Sequence, residues 1–206
     1  VTGQYSAIVF DVGNVLFGYN PAAIVDRILG QTPYKDDFLT HLFLSPAWQQ
    51  MDRGDLSVEQ LVRQLSESMV IPDEAIAQIP KLVEEFPDHL DPIHDMLALF
   101  DQVSLQYQTH ILSNFQDRPF DRLCRLYPVL NQARAQVVSA KVNMMKPEPE
   151  IYHHLLGHYN LDPAQTIFID DLTANIDAAD QFGIKGILYQ SPEQVITDLK
   201  SLGVFA

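Results

Sequence analysis

With a single cysteine, Cys124, among 206 residues, the chain has no means of forming an internal disulfide, so packing and hydrogen bonds must hold the fold. Set in Arg122-Leu123-Cys124-Arg125-Leu126, that cysteine reads as a small buried hydrophobe rather than a reactive thiol. Basic residues are scarce: 13 Lys and Arg against 27 Asp and Glu leave a formal net charge of -14. This balance argues against a general nucleic-acid binder and gives no long-range attraction to an anion, so a bound phosphate would have to be held by local cations. No apolar run approaches the length of a membrane span, and no leader pattern is read in the opening residues. The expectation is a cytoplasmic protein with neither membrane nor nucleic acid as partner. Val1-Thr2-Gly3-Gln4 carries no pattern usable for the fold.

What is present is ordinary globular composition, 47% hydrophobic and 19% charged. The length suits one good core, or a core with a small insert, and is too short for two large domains. Ala7-Ile8-Val9-Phe10 followed by Asp11-Val12-Gly13 reads as a buried strand delivering one carboxylate to a loop. From Asn20-Pro21 to about Phe86 the pattern is almost wholly helical. Helices are expected over Ala22–Leu29, Asp37–Leu44, Pro46–Asp52 and Asp73–Phe86, and a further one starts at the capping box Ser57-Val58-Glu59-Gln60. This stretch of about 70 residues has the character of an insert and should lean on a neighbour for stability.

After a returning helix over Pro92–Phe100 the texture changes. Strand candidates Thr109–Leu112, Ala135–Val138, Thr166–Ile169 and Gly186–Tyr189 alternate with helical stretches Phe120–Leu126, Pro149–Tyr159, Ala174–Phe182 and Pro192–Leu202. Such alternation predicts an α/β fold with a doubly wound parallel sheet covered on both faces. The division expected is a core of residues 1–17 and 90–206 with a helical insert at 18–89. Ligands of such sheets bind beyond the carboxyl ends of the strands. Polar residues stand there: Asp11, then Ser113 with Asn114, then Asp170 with Asp171. Lys146 precedes the proline that opens a helix. Carboxylates at two strand ends suit a hard cation, and a lysine with a hydroxyl beside it suits a phosphate.

Four segments resemble, in order, the four motifs of the haloacid dehalogenase superfamily of phosphohydrolases: Phe10-Asp11-Val12-Gly13-Asn14-Val15-Leu16, Ile111-Leu112-Ser113-Asn114, Lys146-Pro147-Glu148-Pro149, and Phe168-Ile169-Asp170-Asp171 followed by Asn175. The similarity spans nearly the whole chain and points to the sugar-phosphatase-like and epoxide-hydrolase-like branch. It implies a Rossmann-like core with an inserted all-helical cap, and hydrolysis of a small phosphomonoester, with sugar phosphates fitting the branch. Asp11 would be the nucleophile that forms an aspartyl-phosphate. Mg²⁺ would be held by Asp11, the Gly13 carbonyl and Asp171, with Asp170 and Asn175 around that set. Ser113, Asn114 and Lys146 would bind the substrate phosphate, and Ser113 and Lys146 would stabilise charge during transfer. The substrate is then a small phosphate ester, and the chain a monomer or homodimer.

One position departs from the pattern. Most phosphatases of the superfamily carry Asp two residues after the nucleophile as general acid and base, and here that position is Gly13. A glycine offers a carbonyl but moves no proton, and a general acid or base contributes about 10²- to 10⁴-fold in rate. Three readings therefore stand: a Mg²⁺-dependent phosphatase whose proton transfer is done by water, a substrate group or a residue of the helical insert; a 2-haloacid dehalogenase, whose halide leaves without a proton; or a phosphate-binding regulatory protein of weak turnover. Trp48, Asp52 and Arg53 lie in the insert and could face the substrate, but the reading preferred for them is a packing tryptophan and a helix-ending charge pair.

Overall fold

The computed structural model describes residues 4–68 and 70–204. Val1–Gly3, part of the opening segment in which no leader pattern is read, lie outside them. The first strand, β1 (Ala7–Phe10), is followed by a two-residue strand β2 (Phe17–Gly18). Helices α1 (Pro21–Leu29), α2 (Lys35–Phe38), α3 (Pro46–Arg53), α4 (Val58–Ser68), α5 (Asp73–Ile76) and α6 (Ile79–Glu85) come next. The chain then returns through β3 (Asp91–Pro92), which pairs antiparallel with β2. The remainder runs α7 (His94–Ser104), β4 (Gln108–Ser113), α8 (Asp117–Leu126), β5 (Ala135–Val138), α9 (Ser139–Val142), α10 (Pro149–Tyr159), β6 (Thr166–Asp170), α11 (Thr173–Gln181), β7 (Lys185–Leu188) and α12 (Pro192–Ser201). No helix among the described residues is long and apolar enough to cross a membrane.

Strands β5-β4-β1-β6-β7 form one sheet in that order, and every pairing is parallel. This is the doubly wound α/β fold expected from the alternation of patterns. Side chains obey the period of two. Ile8, Phe10, Ile111, Ile167 and Ile169 enter a core on one face, while Val9, Leu112, Val137 and Phe168 pack with Tyr152, Leu155 and Ile176 on the other. The strand order reverses about β1, so the crevice that such sheets use for ligands opens at the end of that strand. Register places Phe10 beside both Ile111 and Ile169, which brings the carboxyl ends of β1, β4 and β6 together.

Local signals explain most boundaries. Asn20 caps α1 by accepting from the Ala23 amide at 3.2 Å, with Pro21 in the first turn. The Ser57 capping box forms as read, each of Ser57 and Gln60 bonding the other's backbone amide. Two expectations need correction. The helix read over Asp73–Phe86 is broken into α5 and α6 with a short 3₁₀ turn beyond, because Pro80 lacks an N–H and is accommodated only in a first helical turn. The helix read over Asp37–Leu44 begins as the four-residue α2 and continues as a π-helical turn, Leu39–Phe43. Between Gly18 and Asp91 the regular elements are all helical, and the β2–β3 pair ties the points of exit and return. Arg27 strengthens that closure, donating to the His89 carbonyl at 2.7 Å and pairing with Asp91 at 2.8 Å.

Candidate active site

β1 delivers Asp11 at the crevice, where its backbone amide still donates to the Ile169 carbonyl at 3.0 Å. The Asp11 carboxylate accepts from the Val12 amide at 2.7 Å and so helps turn the chain. Asn14 then takes a left-handed conformation, φ 54°, and the loop closes as the Leu16 and Phe17 amides donate to the Val12 carbonyl. Lys146 enters from the loop before α10. Its backbone is clasped by Asn114, whose Oδ1 accepts from the Lys146 amide and whose Nδ2 donates to the Lys146 carbonyl, both at 2.9 Å. The Asn114 amide is thereby committed to holding the lysine loop.

The Lys146 ammonium stands between two carboxylates, 2.8 Å from Asp11 Oδ1 and 2.7 Å from Asp170 Oδ2. Asp170 is fully buried, and its oxygens also accept from the Leu172 amide at 2.8 Å and from Asn175 Nδ2 at 2.9 and 3.0 Å. Asp171 is less enclosed and accepts only from Asn14 Nδ2, at 3.1 Å, among its side-chain hydrogen bonds to described residues. Carboxylate oxygens of Asp11, Asp170 and Asp171 come within 4.8 Å of one another. Burial pushes the Asp11 carboxyl up to about 6 against the pull of the Lys146 ammonium, and Asp170 adds to the rise. Burial disfavours the Lys146 charge, but Asp11 and Asp170 outweigh it and hold the ammonium above its ordinary range. Burial also raises Asp171, with the Asn14 amide partly offsetting it.

Three carboxylates against one ammonium leave two negative charges in excess. An all-oxygen donor set carrying that excess fits a hard divalent cation, and Asp11, Asp170 and Asp171 are the carboxylates that could hold one. Asp11, Gly13, Ser113, Asn114, Lys146, Asp171 and Asn175 all line one cavity of about 210 Å³, and Asp170 lies beneath its wall. A larger surface groove of about 620 Å³ between α7 and α12 contains neither nucleophile nor carboxylate cluster and is separate from this site.

The helical stretch and the loop after β4 also contribute to the cavity that Asp11 lines. Tyr19, Trp48, Asp52, Phe86 and Phe115 line it. For Asp52 the less favoured reading, a residue turned toward the site, is the one the cavity matches, and nothing in its spacing shows which way the last turn of α3 faces. The tryptophan does pack as read, 4.7 Å from Phe43 and 5.2 Å from Phe86 between ring centres. Arg53 turns away to pair with Glu148 and Asp55. The Ser139 hydroxyl, also missed, donates to the Asp52 carbonyl and accepts from the Phe115 amide at 2.9 Å, joining the end of α3 to the loop after β4.

Comparison with known proteins adds four findings. Residues 49–189 match the sequence profile of the haloacid dehalogenase-like hydrolases. The chain is 29% identical over 184 residues to a sesquiterpene phosphatase of Aspergillus oryzae, covering 89% of each. Its fold is similar to that of a haloacid-dehalogenase-family enzyme from Bacteroides thetaiotaomicron solved with magnesium and inorganic phosphate, with TM-score 0.71, 22% identity and 90% and 94% of the two chains covered. An L-2-haloacid dehalogenase from Xanthobacter autotrophicus is similar too, with TM-score 0.64, 20% identity and coverage of 96% and 83%.

Proposed function

The chain belongs to the haloacid dehalogenase-like hydrolases, and we propose that within them it is a Mg²⁺-dependent phosphatase acting on a small phosphomonoester through an aspartyl-phosphate on Asp11. The observation that carries this reading is the cluster of three carboxylates in which one buried lysine pairs with two, Asp11 and Asp170, and leaves Asp171 unmatched by it. A dehalogenase would have no use for the surplus negative charge, whereas a cation shared by Asp11, the Gly13 carbonyl and Asp171 balances it. Bound there, Mg²⁺ would offset the repulsion between the Asp11 carboxylate and an incoming phosphoryl group.

The chain's own residues divide the remaining work. Lys146 holds Asp11 in place and sets a positive charge beside the phosphoryl oxygens. It is the one cationic side chain among the described residues lining the cavity, so in a protein of net charge -14 it is the local cation that phosphate needs. Ser113, at the end of β4, offers a hydroxyl to the same oxygens. Asn114 acts one step back by clasping the lysine backbone, and Asp170 with Asn175 fixes the lysine head. The cut we propose, a core of 1–17 and 90–206 with a helical cap at 18–89, puts the site under the cap.

The organic part of the ester would meet Trp48, Phe86 and Phe115, with Leu172, 54% exposed, at the edge. Such a wall suits an apolar alcohol better than the hydroxyls of a sugar, and the A. oryzae relative is named for a sesquiterpene phosphatase. Phosphate release should be assayed on 4-nitrophenyl phosphate, a prenyl monophosphate and a hexose phosphate, with Mg²⁺ and with chelator. Turnover is expected with Mg²⁺ alone, and kcat/KM should be higher on the prenyl ester than on the sugar. Halide release from a 2-haloacid without phosphatase turnover would reverse the assignment.

A further inference from the structure

Phosphoryl transfer to Asp11 leaves an alkoxide unless something protonates the leaving oxygen, and Gly13 has no group to do it. We infer that Asp52, brought to the cavity by the last turn of α3, is the general acid and base of this site. The inference rests on the phosphatase reading above and adds a residue to it.

Four observations converge on Asp52. It lines the same cavity as Asp11, Ser113 and Lys146. Among the described residues no cation pairs with it: Arg53 is engaged with Glu148 and Asp55, and Lys146 with Asp11 and Asp170. Around it stand the Tyr19 hydroxyl and the Gln116 amide, with the rings of Trp48, Phe86 and Phe115 lining the same cavity. Burial in that setting holds the Asp52 carboxyl well above the carboxylate range, and Gln116 only partly offsets it, so the group retains its proton where an exposed aspartate has lost it. The Tyr19 hydroxyl is buried without a hydrogen-bond partner and lines the cavity too, so a second polar group awaits an oxygen beside Asp52.

Its backbone is held firmly enough for the task. The Ser139 hydroxyl donates to the Asp52 carbonyl, the Arg53 guanidinium grips Glu148, and Asn143 Nδ2 donates to the Arg53 carbonyl at 3.2 Å. All three contacts run from the end of α3 to the segment between β5 and α10.

In the first step an Asp11 oxygen bonds to phosphorus, the bond from phosphorus to the ester oxygen breaks, and the Asp52 proton passes to that oxygen, releasing the alcohol. In the second, water bonds to phosphorus while giving a proton to the Asp52 carboxylate. The bond from phosphorus to Asp11 breaks, leaving inorganic phosphate and a protonated Asp52. Both cycles close without an external proton carrier.

Asp52→Asn tests the assignment with little change of shape, and Asp52→Ala gives a second variant, with thermal unfolding to confirm that the protein tested is folded. On an alkyl monophosphate, whose leaving group needs a proton, kcat should fall about 10²- to 10⁴-fold. On 4-nitrophenyl phosphate the first step needs no acid but the second still needs a base. Rapid mixing should therefore show a burst of nitrophenolate approaching one per enzyme, followed by slow turnover, with acid-stable phosphate accumulating on the protein. Gly13→Asp in the Asp52→Asn background should restore turnover and abolish the burst, since a Cβ at Gly13 meets nothing within 4 Å. Equal losses on both esters without a burst, or a rise in KM alone, would overturn the role of Asp52 and leave the phosphatase reading standing. Absence of turnover by the native protein on every phosphate ester would overturn both.

Discussion

Lys146 carries more of this site than its lone position before a proline suggested. A cation buried between Asp11 and Asp170 cannot be removed without leaving two carboxylates desolvated and facing each other. Lys146→Met should lower the unfolding free energy by about 3–5 kcal/mol in chelator, measured by urea denaturation, besides abolishing turnover. His110 makes the opposite kind of prediction. Both its ring nitrogens are buried without partners on β4, and burial, with Arg134 nearby, lowers its pKa from 6.5 to about 4. The folded protein therefore keeps this histidine neutral while the unfolded chain takes up a proton between those values. Its contribution is full above pH 6.5 and is lost as pH falls toward 4, at about 1.4 kcal/mol per pH unit. His110→Leu should gain stability relative to the native chain over that interval, and denaturation midpoints at pH 7 and pH 4.5 would show it. Cys124 behaves as its setting implied, buried and with its thiol pushed up to about 11 by burial.

Among the elements, the end of α3 is the one on which the proposed chemistry depends. Gly54 follows it in the left-handed region at φ 85°, and a Cβ there would stand 2.7 Å from the Ala140 carbonyl in α9. Gly54→Ala combines backbone strain with a collision against main chain. It should cost more than about 1 kcal/mol in thermal unfolding and lower kcat by displacing Asp52. The Arg-Gly pair after Asp52 was legible as a helix end, because a left-handed glycine is a standard helix stop. Its packing partner was not, because Ala140 lies in another element and no local pattern encodes that approach. The same reasoning covers the break at Pro80 between α5 and α6. Apolar spacing on both sides suits a helix, and the missing N–H decides where it stops.

Taken as one molecule, the proposed phosphate site lies in a chain of net charge -14, so affinity there must come from the cluster and not from the wider field. Mg²⁺ and a phosphate mimic should therefore bind together, and each alone weakly. Fluoroberyllate with Mg²⁺ should raise the melting temperature, with a stabilisation of about 2.7 kcal/mol when the ligand is at a hundred times its dissociation constant. Asp11→Asn should abolish that shift and lower kcat by at least about 10³-fold, while its own melting temperature without ligand stays close to native or rises. Differential scanning fluorimetry with each component separately and together distinguishes these outcomes.

The sequence by itself determined the alternation of strands and helices, and the order in which Asp11, Ser113, Lys146 and Asp170-Asp171 occur. Both follow from short-range rules: side-chain period within an element, and the habit of parallel sheets of presenting ligand residues at their carboxyl ends. It also showed what was missing, a proton donor at Gly13. Only the tertiary structure decided that Lys146 is shared between two carboxylates, that Asn114 spends its amide on the lysine backbone, and that Asp52 and Asp11 line one cavity. These are meetings between residues far apart in the chain. Their geometry is set by how strand ends, the loop before α10 and the helical stretch pack together, which depends on many partners at once and leaves no mark in local spacing.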